Sequence, residues 1–224
     1  MRVIAIDGPA GSGKTSLARA LAERLDLECL DTGAMYRAVT FAVLRAGGDP
    51  ADDGFTANVA RTVDLRVEAD RVLVDGVDAT VEIRGSSVDR AVSLVAANAA
   101  VRAELVARQR DWARRRGGGV VEGRDIGTVV FPDADLKVYL KAEERTRALR
   151  RAHQRAAADP GAAAGAATGV EAAAVESVAE DLARRDSIDS NRKADPLARA
   201  DDAVVVDTTE RTFDETVEQI LSLL

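Results

Sequence analysis

The 224-residue chain has one cysteine, one histidine and one tryptophan. A lone Cys29 cannot close an internal disulfide, which points to a reducing, cytoplasmic setting. His153 by itself cannot build a histidine metal site or a Ser/His triad. With two Tyr and four Phe the chain is also too poor in aromatics for a base-stacking platform. No stretch approaches the roughly 20 apolar residues of a membrane span, and the start, MRVIAIDGPAG, reaches Asp7 without the basic start and long apolar middle of a secretory signal. The formal net charge of −7 argues against a partner in bulk nucleic acid, which needs a large positive excess. Lysine is scarce as well: Lys14, Lys137, Lys141 and Lys193 are the whole set, against 27 arginines. Chemistry is therefore left to Arg, Lys, Asp and the backbone, in a chain long enough for one domain with one or two inserts.

Val3 to Ile6 form a β-branched run that turns into GPAGSGKT, after which Leu17, Ala18, Leu21, Ala22 and Leu25 recur with helical spacing. Leu27 to Leu30 reads as a second strand and Ala34 to about Leu44 as a helix ended by Gly47, Gly48 and Pro50. Next comes a β-rich insert, in which Val63, Leu65 and Val67 alternate, Val72 to Val74 answer them, and Asp75-Gly76 signals a hairpin. Ser86 to about Arg116 is helical with a break near Asn98. Val120-Val121, Leu136 to Leu140 and Val204 to Val206 read as further core strands, before a closing helix from about Thr212. Five short apolar strands alternating with helices predict an α/β fold with a parallel, doubly covered sheet. The Ala/Gly-rich tract between His153 and Val175 is the least core-like part, and it reads as mobile.

Gly8-Pro9-Ala10-Gly11-Ser12-Gly13-Lys14-Thr15 matches G-x-x-x-x-G-K-[ST] between a strand and a helix, as the phosphate-binding P-loop requires. The glycines let backbone N–H groups point inward at a helix N-terminus, Lys14 reaches the outer phosphates, and the Thr15 hydroxyl suits Mg²⁺. Asp31-Thr32-Gly33-Ala34-Met35-Tyr36-Arg37 puts a polar cap and an arginine at the end of the second strand, where open α/β sheets bind ligands. An ordinary N-cap with a solvated Arg explains it too. Glu122 to Gly127 places a cation and an anion on a glycine-rich turn after a buried strand, which a surface ion pair would also explain. Arg185, Asp189 and Arg192 share one face of a continuing helix, as do Arg147, Arg150 and Arg151 on an earlier one. Both sets read either as solvated faces or as a lid over polyphosphate, whereas Arg114, Arg115 and Arg116 read as solvated surface.

GPAGSGKT, DTGAMYR, Glu82 to Arg84, Val101-Arg102, GRDIGTVVFPDA at Gly123 to Ala134, and RRDSIDSNR at Arg184 to Arg192 together resemble bacterial cytidylate kinase, in order and over nearly the whole chain. The resemblance implies a P-loop NTPase-type parallel five-stranded sheet with a small, partly β substrate-binding insert and a mobile lid. It divides the chain into a core (1–54, 94–150 and 192–224), a CMP-binding insert (55–93) and a lid (151–191). It implies ATP at residues 8–15, with Arg147, Arg150 and Arg151 at the lid edge. Thr32, Tyr36, Arg37, Arg124, Arg185 and Arg192 would contact CMP and the transferring phosphates, with Lys14, Arg124, Arg185 and Arg192 stabilising the transfer. Ser93, Arg102 and Asp125 would face the cytosine, and Asp189 the sugar.

These roles make chemical sense, because a loose phosphoryl-transfer transition state spreads charge over oxygens that arginine forks, Lys14 and Mg²⁺ stabilise. A monophosphate acceptor has a second pKa of about 6, so it needs no general base. A carboxylate at Asp125 accepts from the cytosine N4 amine and repels the uracil O4. The expectation is a cytoplasmic, monomeric, Mg²⁺-dependent ATP:CMP and dCMP phosphotransferase of pyrimidine nucleotide supply, with no nucleic-acid or membrane partner. Two other readings are compatible with the first motif. One is a P-loop kinase for UMP, dTMP or an alcohol, and the other an NTP-driven switch without a small acceptor.

Overall fold

A computed structural model of the chain describes residues 1–68, 70–158 and 172–224. Strand β1 (Arg2–Asp7) is central in a five-stranded sheet and lies between β6 (Gly118–Gly123) and β7 (Leu136–Lys141). β2 (Cys29–Asp31) borders β6 and β8 (Val204–Asp207) borders β7, so the order is β2-β6-β1-β7-β8 with every pair parallel. Successive strand residues point to opposite faces, and both faces are covered. Ile4 and Ile6 pack with Leu17, Leu21 and Ala22 of α1 (Lys14–Leu25) and with Val217 and Ile220 of α8 (Phe213–Leu221). Val3 and Ala5 face a larger cluster that includes Met35 and Val39 of α2 (Thr32–Arg45) and Leu105 of α5 (Ala99–Arg116). The expected five-stranded parallel sheet is the sheet observed.

Element ends differ from the sequence reading where capping decides. The second strand begins at Cys29 because Asp26 and Leu27 terminate α1: Asp26 takes left-handed dihedrals and the Leu27 N–H closes back on the Ala22 carbonyl at 2.9 Å. α2 starts at Thr32, one residue after Asp31, whose carboxylate accepts from Ala34 N at 2.9 Å. The expected break near Asn98 separates α4 (Ser86–Ala97) from α5, and the Asn98 side chain caps α5 by accepting from Ala100 N and Val101 N. Entry into β6 needs glycine, since Gly118 has a φ of 136° and a Cβ there would run into the Arg2 carbonyl.

The insert holds a three-stranded antiparallel sheet of β3 (Leu65–Val67), β4 (Val72–Val74) and β5 (Val77–Asp78). Asp75 and Gly76 make the β4–β5 turn, both with positive φ (51° and 77°), as a tight hairpin with right-handed twist requires. A helix absent from the sequence reading, α3 (Asp53–Thr62), precedes this sheet, capped by Asp52 onto Phe55 N at 2.9 Å. Val63, Val72, Val74 and Ile83 share the hydrophobic cluster of α2 and α5, so the insert is packed continuously onto the sheet's larger layer.

Helices α6 (Glu144–Ala158) and α7 (Ala172–Asn191) pack together through Ala148, Ala152, Val178 and Leu182, with Ala10 of the glycine loop in the same cluster. The centre of the tract read as mobile, 159–171, lies outside the described residues. Its two ends belong to α6 and α7. No helix among the described residues is long and apolar enough to cross a membrane.

Candidate active site

The glycine loop follows β1 at the C-terminal edge of the sheet, and α1 begins at its end with Gly13 as a left-handed N-cap (φ 91°). Gly8 (φ 150°) passes so close to β7 that a Cβ would strike the Leu140 carbonyl. Asp7, the last residue of β1, turns inward and accepts from Ile126 N and Gly127 N, each at 2.8 Å. It thereby ties the loop to the one-turn π-helical segment Ile126–Val130 of the GRDIGTVVFPDA block. Burial pushes the Asp7 carboxyl up to about 6 even against those two backbone bonds.

Lys14 is buried and its Nζ folds back to donate to the Pro9 carbonyl at 2.8 Å. Desolvation pushes its ammonium down to about 7, with Arg124 adding repulsion and Glu122 opposing it. Such a lysine gains from an anion brought to it. Thr15 Oγ1 donates to Glu122 Oε1 at 2.6 Å, and Glu122, at the end of β6, is pushed up to about 7 by burial and by the neighbouring Asp31 carboxylate. The hydroxyl of Thr15 and the carboxylates of Glu122 and Asp31 form a hard oxygen set beside the loop, the donor chemistry that suits Mg²⁺.

A cavity of about 140 Å³ runs from this loop between Gly11, Gly13, Lys14 and Thr15 to Arg37, Arg124, Arg151 and Arg185. A second, of about 60 Å³, adjoins it and is lined by Thr32, Tyr36, Ser93, Arg102, Asp125, Asp189 and Arg192; Glu122, Arg124 and Arg185 wall both. The two cavities meet at a cationic partition. Arg124 donates Nε to Asp189 at 2.9 Å and Nη1 to the Gly8 carbonyl at 3.0 Å, so it bridges α7 and the loop. Arg185 has no carboxylate partner among the described residues, and its Nε lacks any hydrogen bond. Burial, then Arg37 and Arg124, push its pKa down to about 9, which leaves it charged at neutral pH yet in need of an anion.

The deeper cavity is organised by Arg102, which is almost wholly buried. Its Nη2 pairs with Asp125, its Nε donates to Asp195 Oδ2 at 2.8 Å, and its guanidinium lies 5.5 Å from the Tyr36 ring centroid. Arg192 approaches Asp125 at 3.5 Å and donates Nε to the Asp195 carbonyl at 2.6 Å. Thr32 Oγ1 donates to the Glu122 carbonyl at 2.7 Å, and Arg37 donates to the Ile83 carbonyl and pairs with Asp89. Among the described residues, Ser12 Oγ, Tyr36 OH, Arg185 Nε and Arg192 Nη2 are buried polar atoms without a hydrogen bond to protein. Native interiors rarely leave such groups unpaired, and Tyr36, Arg185 and Arg192 wall the two cavities, where ligand atoms could satisfy them.

Two placements depart from the sequence reading. Arg192 lies just beyond the end of α7 rather than on its face, yet still reaches the cavity of Arg185 and Asp189. Arg147, Arg150 and Arg151 do not act as one set. Arg147 pairs with Asp186 and donates to the Ala10 carbonyl, and Arg150 donates to Thr208 Oγ1 and carbonyl. Arg151 alone walls the phosphate-loop cavity. Arg150 instead lines a separate, more apolar cleft of about 370 Å³ with Gly11, Leu17, Leu140, Thr208 and Phe213. Arg114 and Arg115 are exposed around Asp111, as expected, while Arg116 pairs with Glu28 and stacks on Trp112 at 4.8 Å. Sequence reasoning missed Asp7, Asp31 as the partner of Glu122, Asp89, Asp186 and Asp195. Of these only Asp7, an acid that closes an apolar strand, carried a visible signal.

Comparison with known proteins decides which kind of phosphate chemistry this cleft belongs to. A profile described as cytidylate kinase matches residues 4–224. The chain belongs to the cytidylate kinase family. It is 48% identical over 226 residues to a cytidylate kinase of Mycolicibacterium paratuberculosis (strain ATCC BAA-968 / K-10), covering 99% of this chain and 94% of that protein. It is 46% identical over 222 residues to the cytidylate kinase of Mycobacterium leprae (strain Br4923), with 99% and 95% covered. A cytidylate kinase of Geobacillus kaustophilus (strain HTA426) is 43% identical over 226 residues, with 99% and 95% covered. Among solved structures, an uncharacterized protein from Eubacterium ventriosum ATCC 27560 superposes with a TM-score of 0.53 at 12% identity, over 99% of this chain and 97% of that one; this likeness concerns the fold alone. The enzyme is thus a phosphotransferase of the nucleoside monophosphate kinase type, which accounts for a cationic partition between two cavities.

Proposed function

We propose that the enzyme transfers the γ-phosphoryl group of ATP to CMP and dCMP, with Mg²⁺, in cytoplasmic pyrimidine nucleotide supply. The observation that carries this reading is the partition itself: Arg124 and Arg185 face both the phosphate-loop cavity and the Arg102–Asp125 cavity. Two nucleotides entering from opposite sides would meet there phosphate to phosphate. The triphosphate lies along Gly8 to Thr15, where the loop N–H groups and Lys14 hold it, and the Arg150–Thr208 cleft takes the donor base. The monophosphate is held by Thr32, Tyr36 and Arg37, its sugar faces Asp189, and its base faces Ser93, Arg102 and Asp125.

Phosphoryl transfer needs little covalent help from the protein. Lys14, Arg124, Arg185 and Arg192 hold the attacking and leaving oxygens in line and offset the charge that develops on the equatorial oxygens. The acceptor phosphate is already ionised near neutral pH, so no side chain has to take its proton. Thr15, with Glu122 and Asp31 behind it, would hold Mg²⁺; the ion, when bound, neutralises β- and γ-phosphate oxygens. Base choice falls to Asp125, held by Arg102, which accepts from the cytosine N4 amine. In this reading 1–54, 94–150 and 192–224 form the core, 55–93 bind CMP, and 151–191 close over both nucleotides as a lid, in a protein that works as a monomer. Lys14→Ala tests the phosphate cradle: CMP-dependent ADP formation falls at least about 100-fold while CMP binding by calorimetry persists. Full turnover in that variant would contradict the assignment.

A further inference from the structure

Asp89 lies on α4, outside every motif that marks the site, yet arginines from two other helices converge on its carboxylate. Arg37 of α2 donates to Oδ1. Arg151 of α6 donates Nη2 to both oxygens, at 3.2 and 3.1 Å, and Arg155, one turn further along, approaches at 3.5 Å. The Asp89 side chain is only 13% exposed. Desolvation works against its charge, yet Arg37 and Arg151 outweigh it and hold the carboxyl below its usual range. Among the described residues, Asp89 is the one carboxylate paired with either Arg37 or Arg151.

Both arginines also wall the phosphate-loop cavity, where Lys14, Arg84, Arg124 and Arg185 add further positive charge. Without a counter-anion, like charges at this spacing repel, and long arginine side chains spread over several rotamers. Arg37 is instead held at two points of its planar fork, Nη1 on the Ile83 carbonyl and Nη2 on Asp89. The remaining N–H groups of each guanidinium stay available to phosphate oxygens. We infer that Asp89 is a positioning residue for phosphoryl transfer, one that orients an acceptor-side arginine, Arg37, and a lid arginine, Arg151, toward the same phosphates. This rests on the reading above that Arg37 and Arg151 contact the nucleotide phosphates.

The test is a kinetic double-mutant cycle with CMP and Mg²⁺·ATP on the wild type, Asp89→Asn, Arg37→Ala and the double variant, with thermal unfolding of each. Asp89→Asn is expected to lower kcat/KM for CMP by about 10- to 100-fold, the effect of small misplacement of reacting groups, with the unfolding midpoint nearly unchanged. In the Arg37→Ala background the same substitution costs clearly less, because one of the two arginines it acts through is gone and only Arg151 is left to misplace. Equal losses in both backgrounds, unchanged kinetics, or a lowered KM for CMP would overturn the inference; the last would mean that the carboxylate merely occupies the place of a phosphate. If Asp89→Asn fails to fold, Asp89→Ser is read in the same cycle against the same outcomes. Wild-type turnover with CMP separates the two claims: its presence with an inert Asp89 sinks only this inference, and its absence sinks the CMP reading and this inference with it.

Discussion

Replacing Asp125 by Asn probes stability and base choice with one atom. Arg102 is 1% exposed and shares its charge between Asp125 and the more exposed Asp195, while Arg192 reaches Asp125 from the other side at 3.5 Å. Burial pushes the Asp125 carboxyl above its ordinary value despite both arginines, so desolvation offsets much of the attraction. The charged carboxylate is therefore no net source of stability, and Arg102 keeps its second partner, Asp195, when Asp125 is neutralised. Outright loss of a buried ionic partner costs about 3–5 kcal/mol, but Asn retains an acceptor and, like the protonated carboxyl that burial favours, carries no charge to desolvate, so a change within about 1 kcal/mol is expected. For a protein of this size that moves the unfolding midpoint by no more than about 4 °C. Urea and thermal unfolding at pH 7 without nucleotide measure it, and Arg102→Met, which leaves the buried Asp125 carboxylate with the more distant Arg192, should cost about 3–5 kcal/mol. A loss of about 3 kcal/mol or more in Asp125→Asn would refute the reasoning. The preference for CMP over UMP should narrow by one to two orders of magnitude, the worth of about 1–3 kcal/mol at a base edge.

Glu122→Gln should have an effect on stability that depends on pH. The folded carboxyl sits at about 7, above its ordinary 4.5, so the wild type loses stability as pH rises from about 4.5 through about 7, whereas Gln does not ionise. At about 1.4 kcal/mol per pH unit the variant gains up to about 3 kcal/mol over the wild type by pH 8 and nothing near pH 4.5, measured by urea unfolding without nucleotide or Mg²⁺. A difference independent of pH would contradict this, and turnover should fall because Thr15 loses its carboxylate neighbour. Cys29 gives a third check: burial, with Glu122 and Asp31 nearby, pushes its thiol up to about 12. Alkylation at pH 8 should be slow in the native protein and fast in urea, and native labelling at the rate of a small free thiol would argue against that environment.

The strands and the glycine loop were legible because their signals are local: β-branched runs, a glycine spacing, an apolar stripe along α1. Helix α3 was not, since its buried residues are only Thr56, Ala57 and Ala60, too small and polar to mark an apolar face. Within the site, the arginines could be named from their motifs, but their partners could not. Asp89 meets Arg37 across 52 positions and Arg151 across 62, and Asp195 meets Arg102 across 93. An acid on a helix looks the same in sequence whether it faces water or a guanidinium, and the desolvation that makes it matter arises only when α4, α6 and α7 come together. The same holds for Arg147, Arg150 and Arg151, whose nearness in sequence hides three different surroundings. Asp31 reads locally as an N-cap, and its closeness to Glu122 comes from the parallel pairing of β2 with β6.

The central claim, a cleft that joins ATP to a cytosine monophosphate, is tested most directly by coupled ADP release with Mg²⁺·ATP and CMP, dCMP, UMP, AMP, dTMP or no acceptor side by side. The structure and the family lead us to expect strong turnover with CMP and dCMP, weak turnover with UMP, and negligible turnover with the rest. ADP released equally with and without an acceptor, or equal use of all the monophosphates, would contradict the roles given to Arg102 and Asp125.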